Sequence, residues 1–495
     1  MKKTVVLLIL TAMLFSCLSL VACNGGKTPP PAGSDTTETE GAQNPNSSTS
    51  LDVGKDLGYE GSFIIMTYKT DIPEFCDQDL ERPDAVEAAL IERDRFVESY
   101  LGVEMLYDVS TPGNYPERAE FSNKVRMSVQ NGLKSFDLIA AYSMVPPNLA
   151  LEGVLVDMNT LDHVNLDKTW YPQFMRDACT INDQTYFMTG DISSQSLFRI
   201  LGVAFSPTLA ANNGISEETL YQMVYDGNWT YENWFGMCEE LTTDGGDGQW
   251  DAGDFYPIQT SSSASIDAFF PSTGMTIYEK DDKGLLKVSG DILSEKALDF
   301  YQMFYDAKNT LHVYKDGYDE KLLVNKKCIF QVCAMSSFRL YFEEADETFC
   351  VLPAPKYESG ENTEYITWLA SHIQYCIPND INDPNRSAAV FEVMGYAGYT
   401  YVVPAIFEKT FKQRYSPTLD VANMFDIMRN GRTYDAAGAF FMTFEARNYN
   451  DVCAFFRYAV QKNITNWSGV YKNDYEVGLH NVCRAINEFY SKTNG

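Results

Sequence analysis

Ser62-Phe-Ile-Ile-Met-Thr67, Asp84-Ala-Val-Glu-Ala-Ala-Leu-Ile-Glu-Arg-Asp-Arg-Phe-Val-Glu-Ser-Tyr100 and Val103-Glu-Met-Leu-Tyr107 decide the fold. The first is a short apolar run bounded by polar residues, which predicts a buried strand. The second carries apolar residues at helical spacing and ends before Gly102, a residue suited to a helix C-cap. The third predicts another strand. Pro116 to Asn131 then predicts a helix ending at Gly132, and Phe136-Asp-Leu-Ile-Ala-Ala141 a third strand. Strand, helix, strand, helix, strand is the rhythm of a parallel sheet covered on both faces.

Working outward, the middle of the chain opens a second unit. Val203-Ala-Phe205 predicts a strand, Glu217 to Tyr225 a helix, and Thr230 the cap of a helix to about Leu241. Leu293 to Ala307 has an apolar helical face, while Phe349 to Pro353 and Tyr365 to Ile377 predict strands. Helices follow over 386–397, 421–428 and 451–460. At 495 residues the chain is too long for one ordinary core, so two lobes are expected. Hydrophobic content of 45% and aromatic content of 14% suffice for both.

The N-terminus has a different composition. Lys2 and Lys3 precede an uncharged run from Val5 to about Leu20, the pattern of a secretory signal. Its end, Leu20-Val21-Ala22-Cys23, resembles the lipobox of bacterial lipoproteins. That resemblance implies lipidation of Cys23 and attachment to the extracytoplasmic face of a cell membrane, with residues 1–22 as the signal peptide. More than one acyl chain on one residue gives stable anchoring. Residues 23–56, rich in Ser, Thr, Gly, Asn and Pro, predict a flexible tether. After Cys23 no second membrane span is expected.

The formal charge is −30, from 38 basic and 68 acidic residues. A field of that sign repels phosphate backbones and argues against a nucleic-acid partner. Of eleven cysteines, Cys17 lies in the signal and Cys23 is the proposed anchor. The remaining nine cannot all pair, and none has zinc spacing. Most lie in apolar strings such as Cys328-Ile-Phe-Gln-Val-Cys333, which favours buried thiols; one or two disulfides are the alternative.

Three groups of residues carry a family resemblance. The first is Gly190-Asp191-Ile-Ser with Gly202-Val-Ala-Phe-Ser206 and Asn213-Gly214-Ile215. The second is Leu220-Tyr221, Gly227-Asn-Trp229-Thr230-Tyr-Glu-Asn-Trp234 and Asp244-Gly-Gly-Asp247-Gly248-Gln-Trp250-Asp251. The third is Val351-Leu-Pro353-Ala-Pro355-Lys356-Tyr357, Ile377-Pro378-Asn379, Asp383-Pro384, Pro404-Ala405 and Tyr415-Ser416. In this order they resemble the extracellular solute-binding lipoproteins of ABC importers, in the sugar-binding, maltose-binding-protein-like branch. The resemblance runs from about Gly58 to the C-terminal region.

It implies an α/β fold with a two-lobed, periplasmic-binding-protein-like clamshell, each lobe a mainly parallel sheet flanked by helices, and several hinge crossings. The expected division is 57–197 for lobe 1, with about 372–427 returning to it, and 198–371 for lobe 2, with about 428–495 returning. It also implies a monomer that holds a small solute, most plausibly a carbohydrate, and presents it to ABC permease subunits. The crevice at the carboxyl ends of the strands is where such sheets bind ligands. Tyr68 and Tyr142 follow strands there, Asp191 precedes the first crossing, and Trp368 stands in the returning segment. Phe338 and Arg339 follow a turn at Met335-Ser-Ser337. Aromatic plates with polar side chains between them suit sugars, whose rings have an apolar face and hydroxyl edges. Trp229 and Trp234 fit helix packing instead.

No catalytic residues are expected. His163, His312, His372 and His480 are scattered and form no H-E-x-x-H pattern, and no nucleophile elbow or Walker motif occurs. A glycosidase carboxylate pair is defined by separation in space and stays open as a lesser alternative, as does a surface sensor or adhesin on the same fold. No cofactor is expected apart from a possible structural calcium at the Asp/Gly loop, with Asp247 and Asp251 as weak metal candidates. Related proteins often carry a longer Asp-rich loop there, and in this chain the alternate spacing of oxygen ligands fails.

Overall fold

The computed structural model describes residues 48–492 except 56, 115–116, 361–363 and 441–453. Cys23, the signal segment and most of the expected tether lie outside the described residues. The end of that tether does not: from Ser48 the chain is laid onto the first lobe. Val53 is buried, its carbonyl accepts from Tyr100 Oη (2.8 Å), and Lys168 Nζ donates to Ser50 O (2.8 Å) and pairs with Asp52. Lys168 is itself buried, so the segment supplies the acceptors that its ammonium requires.

Strands β1 (Ser62–Met66), β2 (Glu104–Asp108) and β3 (Leu138–Tyr142) are parallel, in the order β3-β1-β2. The helix Ala85–Leu101 between β1 and β2 begins in a capping box. Asp84 accepts from Val86 N and Glu87 N, Glu87 accepts from Asp84 N, and Gly102 ends the helix at φ 78°.

The second sheet contains β4 (Leu201–Phe205) and β5 (Ile258–Thr260), then, after a hairpin of β6 (Tyr278–Lys280) and β7 (Leu286–Val288), β8 (Tyr314–Lys315), β9 (Phe330–Ala334) and β10 (Cys350–Leu352). Its order is β10-β4-β9-β5-β8. The continuous strand expected over 365–377 is broken. Its first part, β11 (Thr367–Trp368), pairs in parallel with β13 (Arg432–Thr433); its second, β12 (Ile373–Cys376), joins the first sheet against β3.

The sheets are mixed rather than mainly parallel in one specific way. β12 runs against its neighbour β3, and β4 runs against both β9 and β10. Each of the two is the strand by which the chain enters a lobe from the other one. A strand entering at the crevice must run away from it, while β1, β2, β3, β5 and β9 run toward it. Three crossings therefore lie side by side: Ile200 bridges Leu369, and β11 pairs with β13.

The lobe cores are aromatic. Trp229 and Trp234 are fully buried beside Phe330, and Trp229 Nε1 donates to Pro353 O (2.9 Å). The helical run Pro384–Arg414 is long and apolar enough to cross a membrane by composition, yet 72% of its most apolar window is buried. It packs on the helix Ala85–Leu101, and Pro404, which lacks an N–H, stands between two π-helical stretches. The segment after β13 divides its contacts: Ala436–Ala439 packs on Gln173–Cys179, Phe455–Gln461 packs on Glu295–Asn309, and Asn182 and Gln184 bond to Tyr490 O. Eight described cysteines are free thiols, seven of them buried. Cys453 lies outside the described residues.

Candidate functional site

The crevice ends of both sheets and the three crossings collect one set of side chains. Tyr68 follows β1 and Tyr142 ends β3. Tyr68 is buried with its ring edge-on to Phe121 (6.1 Å), and burial, with Tyr142 nearby, raises its phenol well above the usual range. From the second crossing comes Trp368, half-buried, on a patch formed by Leu201 and Ala334 at the ends of β4 and β9, Ala268 after the helix Ser263–Asp267, and Ala370. Tyr434, from the third crossing, lies 5.4 Å from Trp368 and 4.9 Å from His372. Trp368, Tyr434 and His372 thus form a continuous aromatic wall whose accessible face is Trp368, with Tyr434 and His372 buried behind it. Behind it, Trp368 with Phe270, Met275 and Phe455 closes a cavity of about 30 Å³, room for one water and no sugar ring.

His372 is fully buried and its pKa is pushed down to about 4, chiefly by burial, with Arg199 adding to the effect. The ring is therefore neutral at pH 7. Ala370 O can only accept, so Nδ1 carries the proton and donates to it (2.9 Å).

Asp191 is buried at the start of the first crossing, its N–H donating to Trp170 O (2.9 Å) and its Oδ1 without a hydrogen-bond partner. Burial raises its carboxyl, while the charges of Arg432 and Arg429 pull it down. Arg432 bonds to the carbonyls of Arg429 (3.0 Å) and Ser196 (3.3 Å). Asp191 belongs to the interior of the hinge.

Phe338 and Arg339 are directed away from this set. Phe338 packs against Phe342, Tyr415 and Phe425. Arg339 pairs with Asp84 and with Glu87 (3.4 Å), the capping box of the helix Ala85–Leu101. The π-turn Phe338–Phe342 instead offers Tyr341, half-buried, within reach of the charges of Glu320, Asp71 and Arg199.

Arg199, Tyr341 and Tyr434 are the residues that sequence reasoning missed. The available signal was position: Arg199 stands directly before β4, where a crossing ends. It is partly exposed, its Nε is buried without a hydrogen-bond partner, and its carbonyl accepts from Ala370 N (2.9 Å). Other buried side-chain atoms without partners lie on the same crossings and strand ends: Thr67 Oγ1, Thr189 Oγ1, Gln195 Nε2, Thr367 Oγ1 and Gln374 Oε1. Buried polar atoms in a folded protein are nearly always paired.

The Asp/Gly loop is closed by its own carboxylates. Asp247 Oδ1 accepts from Gln249 N (2.8 Å) and Asp251 Oδ1 from Gly253 N (2.6 Å), so these carboxylates serve their own turns. Among the described residues no group of three or more His, Cys, Asp and Glu could hold a metal.

No family model matches the chain, and no curated protein matches it. Solved structures do. The cyclic α-maltosyl-1,6-maltose-binding protein of Arthrobacter globiformis aligns with a TM-score of 0.53 at 11% identity, over 88% of this chain and 99% of that one. UgpB of Mycobacterium tuberculosis, in complex with glycerophosphocholine, aligns at 0.52 and 14% identity, over 86% and 100%. The GacH receptor of Streptomyces glaucescens, solved unliganded and with acarbose, aligns at 0.51 and 10% identity, over 88% and 99%. The fold is that of the two-lobed α/β substrate-binding proteins.

Proposed function

We propose that this protein is an extracytoplasmic solute-binding protein that captures a sugar or oligosaccharide between its lobes and delivers it to an ABC permease. One observation carries the reading: within the fold shared with those receptors, Trp368, Tyr434 and His372 make an aromatic wall at the crevice. The half-buried Trp368 ring suits the apolar face of a sugar, and Arg199, Asp71 and Glu320 suit its hydroxyls. Ligand touching both lobes stabilises the closed arrangement by its additional contacts there. The protein works by binding rather than catalysis and is held at the membrane through Cys23.

A thermal-shift screen of mono- and oligosaccharides tests the ligand class, since a ligand of the folded state raises the midpoint. Trp368→Ala is expected to weaken binding of the responding sugar about 30-fold, or about 2 kcal/mol, as measured by titration calorimetry. Unchanged affinity would remove Trp368 from the site. A response to peptides alone would sink the sugar assignment. Cys23→Ser is expected to move the protein from the membrane pellet to the soluble fraction, and retention in the pellet would refute the anchor.

A further inference from the structure

Among the described residues, Arg199 is a charged group of the crevice whose Nε has no acceptor. The chain holds 68 acidic residues, and Arg93, Arg126, Arg176, Arg339, Arg386 and Arg457 each pair with one of them. Arg432, on the neighbouring crossing, has two carbonyl acceptors. Among the described residues Arg199 has no carboxylate at ion-pair distance, and its buried Nε has no acceptor. A partly desolvated guanidinium without a counter-ion is costly, and its planar edge matches two oxygens of one carboxylate. The groups around it do not supply them. His372 is neutral, and Tyr68 and Tyr341 are uncharged phenols. Asp71 and Asp319 are solvent-exposed and therefore screened, and Glu320 accepts from Ser337 Oγ (3.2 Å).

We propose that Arg199 binds a carboxylate of the ligand, so that the solute is an acidic sugar of the uronate type. Its hydroxyls face Asp71 and Glu320, and its ring lies on the aromatic wall. This deepens the sugar-binding reading and rests on it.

Titration calorimetry of the full-length protein with uronate-containing disaccharides, their neutral counterparts and a sugar phosphate tests it. The uronates are expected to bind about 30-fold more tightly than the matched neutral sugars, a preference that shrinks as salt rises. Arg199→Gln should abolish that preference, the uronates losing about 30-fold more affinity than the neutral sugars, and Arg199→Lys should retain part of it. Unchanged unfolding midpoints of the free variants check that both fold. Tighter binding of neutral sugars, or an equal loss for both classes in Arg199→Gln, would overturn the carboxylate assignment and leave the sugar reading standing. Binding of the sugar phosphate alone would overturn it as well. Failure of every sugar would overturn both.

Discussion

Replacing Arg93 with methionine is expected to destabilise the protein by about 3–5 kcal/mol, the cost of stranding buried carboxylates. Arg93 is fully buried. Its Nε donates to Asp94 (2.8 Å), Nη1 to Ile192 O (3.1 Å) and Nη2 to Glu74 O (3.1 Å). Glu74 in turn accepts from Tyr375, Ser193 and Ser194, and Asp94 from Tyr107. One guanidinium therefore joins the helix Ala85–Leu101, the loop after β1 and the first crossing. Methionine keeps much of the volume, so the loss reports charge and hydrogen bonding rather than a cavity.

Burial already raises Glu74 and Asp94 above the usual carboxylate range, with Arg93 opposing it. Without Arg93 both rise further. A carboxyl with a raised folded pKa favours the folded state fully below its ordinary pKa and least above its raised one. The deficit of Arg93→Met should therefore be smaller near pH 4, where the stranded carbonyls of Ile192 and Glu74 still count, and grow as pH rises through the raised range. Urea denaturation at several pH values measures it, and a deficit independent of pH would refute this account.

Gly398→Ala is expected to cost about 3 kcal/mol, against the sign of helix propensity. Gly398 has ordinary helical dihedrals (φ −59°, ψ −50°), where alanine normally gains about 1 kcal/mol. Here a Cβ would run into Asp191 O, with Asp191 C at 2.8 Å and Ile192 Cα at 3.1 Å. Those are backbone atoms of the first crossing and cannot rotate aside, so the helix must move away from the hinge. Denaturation midpoints decide the matter; a stabilised Gly398→Ala would show that the helix and the crossing are not in close contact.

Much of this was legible in the chain. Ser62–Met66, Ala85–Leu101 and Leu138–Tyr142 sit within about a residue or two of their expected bounds, because period and capping are local properties. Tyr68 and Tyr142 were legible as residues at or just past the ends of strands, and Trp368 as part of the segment returning between the sheets. Arg339 and Tyr341 show the limit. Both lie in the correct segment, but a π-turn decides which side chain faces the crevice and which pairs with Asp84, and no periodicity encodes that choice.

The sequence by itself determined most of the elements and the chemistry available, because hydrophobic pattern, caps and composition act over a few residues. The tertiary structure alone decided that β4 and β12 run against their neighbours. It also placed Tyr434 beside Trp368 and His372, and left Arg199 Nε without an acceptor among the described residues. Those outcomes depend on residues dozens to hundreds of positions apart meeting where the chain crosses between lobes, and contact of that range is settled by packing.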